Sequence, residues 1–167
     1  MYEDVTAEEI AARIGACHES IRKLYDYWSA KKGGRAMPRR ADIDPVDVKR
    51  SLRMMLLVDV VPDERRFVYR LVGTAEVANR GRDPTGKSVR EAFFGHSVDE
   101  VLSCYEYVVR HRGPFCYRGD YSAPDGRIER DDTLYLPLSD DGDAVNMILV
   151  YSHSYAYKRR AKPGSVT

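Results

Sequence analysis

The chain opens on a helical rhythm. Ile10, Ile14, Cys17, Ile21, Leu24 and Trp28 recur at alternating spacings of four and three, which sets them along one helical face. Thr6 with Glu9 is a capping-box pair that starts a helix, and Gly33-Gly34 stops it. The pattern predicts one long N-terminal helix within residues 1–32. Its narrow, continuous stripe has the geometry of a two-helix seam and is a candidate dimer or partner face. Covering the flank of the chain's own sheet requires nearly the same pattern.

Residues 33–54 hold Gly33, Gly34, Pro38 and a cluster of charges, and are expected to form an exposed connector. Asp44-Pro45 with Asp47 supplies a cap, a first-turn proline and an acidic first turn for a short helix through about Arg53. The rhythm then changes. Residues from Met55 to Val61 are nearly all apolar, and Pro62-Asp63-Glu64-Arg65 makes a turn. Phe67, Tyr69 and Leu71 alternate with Val68, Arg70 and Val72, so the segment is a hairpin. Ala75 to Arg80 suit a short helix. Val98, Val101, Leu102, Tyr105, Val108 and Val109 mark one face of a longer one, ending before Gly113-Pro114. Phe115 to Tyr121, Arg127 to Leu138 and Ala144 to His153 are three further strands, separated by Ala123-Pro124-Asp125-Gly126 and Ser139-Asp140-Asp141-Gly142. Two strands, a helical middle and three strands predict an α+β fold, a five-stranded antiparallel sheet with helices on one face.

Composition narrows the classes. Apolar residues make up 43% and charged residues 32%, the mixture of a folded soluble chain, and 167 residues suffice for one core plus an extra helix. The division expected is the N-terminal helix at 1–32, connector and short helix at 33–54, core at 55–155 and a mobile basic tail at 156–167. With 27 Lys and Arg against 26 Asp and Glu the net charge is +1, so no global field recruits polyanions. Basic residues in the tail and at Arg35, Arg39 and Arg40 lack aromatic interleaving, and nucleic acid is not expected as a partner. The acidic start, Met1 to Ile10, is no signal peptide and no window spans a bilayer, so a cytoplasmic protein without membrane attachment is expected. Cys17, Cys104 and Cys116 form no CxxC unit that would suggest zinc or a redox centre, and a reduced compartment fits.

The element order and wording resemble a PAS-like domain of the bacterial PAS_5 family. The resemblance is carried by Leu24-Tyr25-Asp26-Tyr27-Trp28 and Met37-Pro38-Arg39-Arg40-Ala41-Asp42-Ile43-Asp44-Pro45. It continues through Phe67-Val68-Tyr69-Arg70-Leu71-Val72-Gly73-Thr74 and Gly81-Arg82-Asp83-Pro84-Thr85-Gly86-Lys87, over roughly residues 20–155. It implies a sensory or regulatory module that holds a small molecule between sheet and helices, signals through flanking helices, or does both. The candidate pocket residues are Phe67, Tyr69, Leu71, Leu102, Tyr105, Phe115, Tyr117, Ile148 and Val150, which would equally fill a small core. Arg70 and Asn146 are the polar candidates on strands. No cofactor is identified. His96 and His111, flanking the long helix, could in principle serve as haem axial ligands, although a surface histidine near a helix end is the bland reading. Cys104 reads as a packed thiol, with no basic neighbour to activate it.

Gly81 to Ser88 match the phosphate-loop pattern GxxxxGKS/T letter for letter. That loop works where a buried parallel strand leads straight into it and a helix follows, so that backbone N–H groups converge on phosphates. Here a helical stretch intervenes after Val72, and the only apolar strand ending in Asp, Leu56-Leu57-Val58-Asp59, lies upstream. The acidic pairs Asp131-Asp132, Asp140-Asp141 and Asp63-Glu64 sit in expected turns, where solvation is the default, and four scattered His suggest no metal centre. The expected protein is not an enzyme. It is a stand-alone sensory or regulatory module with a small-molecule ligand, a homodimeric or signalling protein partner, or both. A ligand-independent interaction module is the alternative, and a nucleotide-binding enzyme built on residues 81–88 is the third reading.

Overall fold

The computed structural model describes residues 2–94, 97–122 and 128–156. The N-terminal stripe forms two helices instead of the one long helix expected, α1 (Ala7–Ala16) and α2 (Glu19–Lys32). Thr6 caps α1 reciprocally with Glu9: Thr6 Oγ1 accepts the Glu9 N–H at 3.2 Å, and the Glu9 carboxylate accepts the Thr6 N–H at 2.7 Å. Cys17 and His18 then leave helical conformation, and His18 Nδ1 accepts the Ser20 N–H to start α2. The break is fixed by a buried carboxylate, because the His18 N–H donates to Asp132 Oδ2 at 3.1 Å rather than to a carbonyl of α1. The apolar rhythm runs on across it because both helices pack on the same surface.

That surface is the sheet. Its strands are β1 (Met55–Val60), β2 (Phe67–Val72), β3 (Phe115–Ser122), β4 (Ile128–Leu138) and β5 (Met147–Ala156), in the order β2-β1-β5-β4-β3 with every pair antiparallel. Alternation along the strands gives two faces. Leu57, Cys116, Leu134, Leu136, Leu149 and Tyr151 belong to the face under α1 and α2, and all are buried. Leu56, Tyr69, Tyr135 and Val150 belong to the other, which faces α3 (Thr74–Arg80), the four-residue α4 (Val89–Ala92) and α5 (Val98–His111). Helices therefore cover both faces, where the sequence pattern placed the middle helices on one and left the N-terminal helix open between two roles. Ile10, Ile14, Cys17, Ile21, Leu24 and Trp28 are each 5% exposed or less, and Trp28 Nε1 donates to the Pro137 carbonyl at 2.9 Å. The stripe is spent on the chain's own sheet and offers no free face to a second copy.

The connector is more than an exposed linker, since Met37, Ile43 and Val48 are buried in the core. The short helix expected from Asp44 to Arg53 does not form. Residues 45–51 are turns leading into a 3-10 turn at Leu52–Met54. The Asp44 side chain accepts the Val46 N–H at 2.8 Å, a local turn bond that competes with helix. Tyr27 of α2 accepts the Asp44 N–H and donates to Asp47, both at 3.0 Å, pinning the segment down.

Pairing in the first hairpin slips between Leu57 and Val58: Leu57 faces Leu71 but Val58 faces Tyr69, leaving Arg70 as an extra residue on β2. This bulge transfers Leu71 to the opposite face from Tyr69. Gly73, where β2 meets α3, has room for no side chain, as an added Cβ would lie 2.4 Å from the carbonyl oxygens of both Leu52 and Arg53. The pair Asp131-Asp132, expected in a solvated turn, lies inside β4 with Asp132 fully buried. The turn at residues 123–126 and the basic tail lie outside the described residues. Among the described residues no helix is long and apolar enough to cross a membrane.

Candidate functional site

Between the sheet and the helices α3 and α5 lies a cavity of about 110 Å³. Its walls come from β1 to β5, chiefly through residues of one strand parity such as Tyr69, Thr133, Tyr135, Val150 and Ser152, and from the inner faces of the two helices. Tyr105 of α5 stands edge-on to Tyr135, with ring centroids 5.2 Å apart, and lies 5.1 Å from Phe67, which closes one end with aromatic carbon. Burial holds both tyrosine hydroxyls well above their ordinary range, so they stay protonated.

Arg80, in the last turn of α3, carries the main positive charge on this wall. Its side chain is only 7% exposed. The guanidinium carbon lies 5.1 Å from the Tyr69 ring centroid and 5.5 Å from that of Phe94, and Nη1 donates to the Tyr69 hydroxyl at 3.2 Å. Glu76, one turn earlier, places Oε2 3.5 Å from Arg80 Nε, close enough for charge attraction but out of line for a hydrogen bond. Burial raises the Glu76 carboxyl above its ordinary value, and the Arg80 guanidinium offsets this only in part. Among the described residues Arg80 Nε is the one buried side-chain donor with no hydrogen-bond partner. Such a group costs stability unless something pairs with it.

Glu100, in the first turn of α5, contributes acceptor oxygens to the same cavity. It takes the Tyr2 hydroxyl at 3.0 Å and the Tyr117 hydroxyl at 3.4 Å, and burial with this carboxylate alongside raises both tyrosines above their usual value. Cys104 also lines the cavity, its thiol pushed up to about 12 by burial and thus protonated at neutral pH.

Of the residues expected to form a pocket, Tyr69, Tyr105, Tyr117 and Val150 do line this cavity. Phe67, Phe115 and Ile148 are buried beside it as core, and Leu102 is a partly buried residue packed against that core. Leu71 is 46% exposed on the opposite face, moved there by the bulge at Arg70. Arg70 itself pairs with Asp59 at 3.1 Å, and the Asn146 side chain closes the Asp140 turn, so neither reaches the cavity. His111 is exposed and stacked on Tyr107, and His96 lies outside the described residues. The polar members Glu76, Arg80, Glu100, Thr133 and Ser152 were not anticipated. Charged residues near helix ends ordinarily face solvent and complement the dipole, and only Arg80's place one turn after Glu76 hinted at a pair.

The phosphate-loop lookalike has its backbone donors engaged elsewhere. The Gly86 N–H donates to the Tyr69 carbonyl at 2.7 Å, Lys87 N–H to Pro84 at 3.0 Å, and Thr85 N–H to the Asp83 carboxylate at 3.0 Å. The segment is an extra pairing along β2, with Val68 bridged to Ser88, and the Lys87 ammonium points to Glu91 at 3.8 Å. Donors that cradle a phosphate in such a loop are here taken by the β2 edge at Gly86 and by local turn bonds at Thr85 and Lys87.

In size the cavity approaches an engineered core cavity of about 150 Å³ that takes up benzene. Its wall presents aromatic carbon, a donor at Arg80 and an acceptor at Glu100.

The profile of a family described as PAS domain, PAS_5, matches residues 16–151. No curated protein matches the chain in sequence. Among solved structures, VqmA bound to DPO superposes with a TM-score of 0.52 at 14% identity, over 66% of this chain and 56% of that one. A Vibrio cholera VqmA–ligand–DNA complex gives 0.52 at 13% identity, over 65% and 49%. A Rhodobacter sphaeroides LOV protein gives 0.47 at 12% identity, over 65% and 62%. The chain thus spans about half the length of the VqmA chains, and likeness at such identities concerns the fold.

Proposed function

The chain belongs to the PAS domain family, and from that premise we propose that it is a sensory or regulatory module, without catalytic activity, that takes up a small, uncharged ring compound between its sheet and helices. The observation that carries the reading is Arg80: a buried guanidinium on the cavity wall whose Nε lies 3.5 Å from Glu76 as an ion pair but has no hydrogen-bond partner. A ligand acceptor such as a carbonyl or ring nitrogen would satisfy that donor, and a ligand N–H or O–H would find Glu100. An anion is disfavoured, because Glu76 and Glu100 set two carboxylates against one guanidinium among these three residues. The tyrosine walls supply flat apolar contact on either side. The reading includes a cytoplasmic setting and a homodimeric or signalling protein partner, engaged through surfaces other than the buried N-terminal stripe.

Native mass spectrometry of the purified chain, compared with its denatured mass, tests this directly. A retained small molecule that is lost in Arg80→Met, or a compound from a ring-fragment library that Arg80→Met binds about 10- to 150-fold more weakly, is the expected result; that range is one charged hydrogen bond converted to affinity. An apo mass together with no fragment binding would favour the second reading, a ligand-independent interaction module. The modest size of the cavity speaks for that alternative, since pockets for drug-sized ligands run to about 300–1,000 Å³.

A further inference from the structure

Cys17 and Cys116 stand 99 positions apart in sequence yet meet across the interface between the N-terminal helices and the sheet, with Sγ to Sγ 3.1 Å. A disulfide bond is about 2.05 Å long, so about 1 Å of approach would close one. Cys116 is held within β3, whereas Cys17 sits at the joint between α1 and α2, outside helical conformation and free of the ladder that fixes its partner. The Cys17 S–H points to the Arg13 carbonyl at 3.1 Å, which leaves its sulfur to accept from Cys116. The bond from Cys116 favours the Cys17 thiolate, helped less by the Arg118 guanidinium and opposed by burial and the adjacent Asp132 carboxylate, while Cys116 is held protonated. Cys17 is 5% exposed and Cys116 0%, so only a small reagent arriving at Cys17 has a route to the pair.

We propose that Cys17 and Cys116 form a peroxide-responsive dithiol that closes into a disulfide and ties the α1–α2 joint to β3. The Cys17 thiolate attacks one oxygen of hydrogen peroxide and the O–O bond breaks. That oxygen stays on sulfur as sulfenic acid, and the other leaves as hydroxide and takes up the thiol's proton to become water. The Cys116 sulfur then displaces the sulfenic hydroxyl, which departs as a second water with the Cys116 proton. Two electrons pass from the thiol pair to one peroxide. Cys104 lies apart, buried beside the cavity and protonated, and is the internal control.

The full chain is treated with increasing hydrogen peroxide, quenched in acid, unfolded with an alkylating reagent, and analysed by intact mass and peptide mapping. The expected product has lost two hydrogens, carries one alkyl group, on Cys104, and yields a single cross-linked pair of peptides holding Cys17 and Cys116. Dithiothreitol restores three alkylation sites. The bridged form melts at a higher temperature and exchanges its α1–α2 amides more slowly. Cys104→Ser still forms the Cys17–Cys116 bridge and then carries no alkyl group, and Cys17→Ser gives no intramolecular bridge. Three intact thiols in the treated protein, a bridge to Cys104, a bridge between two molecules, or sulfinic acid on Cys17 without a bridge would each overturn the proposal. If Cys17→Ser does not fold, the wild-type peptide map alone decides.

Discussion

Removing the Asp132 carboxylate should detach the N-terminal helices from the sheet at one point and cost much of the stability of the chain. Asp132 is fully buried and accepts three hydrogen bonds: from His18 N–H at 3.1 Å, from Arg118 Nε at 2.7 Å and from the Tyr155 hydroxyl at 2.7 Å. Bonds to a charged acceptor contribute about 1.5–3 kcal/mol each, but they share one carboxylate and do not add. The Arg118 side chain is 37% exposed and can return to water, which places its bond at the low end. Asp132→Ala also leaves the His18 N–H without its acceptor, so a total cost of about 2–4 kcal/mol is expected. Asp132→Asn keeps the shape and one acceptor oxygen and should cost about 1–2 kcal/mol. Urea unfolding at pH 7 measures both. Burial alone would raise the Asp132 carboxyl, but the Tyr155, Arg118 and His18 donors outweigh it and hold it below its ordinary value. A folded pKa below the unfolded one gives stability that is fully present above the unfolded value of about 4 and is lost as pH falls through the folded value. The gap between wild type and Asp132→Asn should therefore narrow below pH 4. A cost under about 1 kcal/mol for Asp132→Ala, or a gap that does not move with acid, would refute Asp132 as the anchor of the joint.

Gly73→Ala forces a methyl group to within 2.4 Å of two backbone oxygens, so β2 or α3 must shift; a loss of about 1–3 kcal/mol in urea unfolding is expected, and a neutral result would show that the joint yields freely. Lys87→Ala removes an exposed side chain 3.8 Å from Glu91, so it should change stability by less than about 0.5 kcal/mol. Calorimetry should find no Mg-ATP binding in either form, and binding that Lys87→Ala abolishes would reinstate the nucleotide reading.

The strands and the central helices were legible because their burial follows period and turn chemistry. Phe67 to Val72 and Val98 to His111 lie where alternation and the helical face put them. What escaped depended on contacts distant in sequence. The helix break at Cys17 and His18 is made by Asp132, more than a hundred residues away, and the stripe on either side keeps its rhythm through the break. The bulge at Arg70 sends Leu71 to the wrong face for a pocket, and a run of alternating residues does not reveal where a partner strand slips. Tyr69, Tyr117 and Val150 were visible as a sheet face and Tyr105 as a helix face, whereas Arg80 and Glu100 looked like ordinary dipole partners of their helices. The two thiols were too far apart in sequence to be read as a pair.

β4 is where the two faces of this protein meet. Thr133 and Tyr135 look into the cavity, while Asp132 and Leu134, their immediate neighbours on the same backbone, hold the N-terminal helices and the surroundings of the thiol pair. In a pleated strand these alternate residues cannot be displaced independently. Occupancy of the cavity therefore reaches α1 and α2 only to the extent that the occupied and empty states place β4 differently. By the same linkage, whatever fixes the helices on β4 feeds back on cavity affinity by an equal factor. Distance alone confers no coupling. The short path through one strand makes β4 the element whose two positions a signal would have to distinguish.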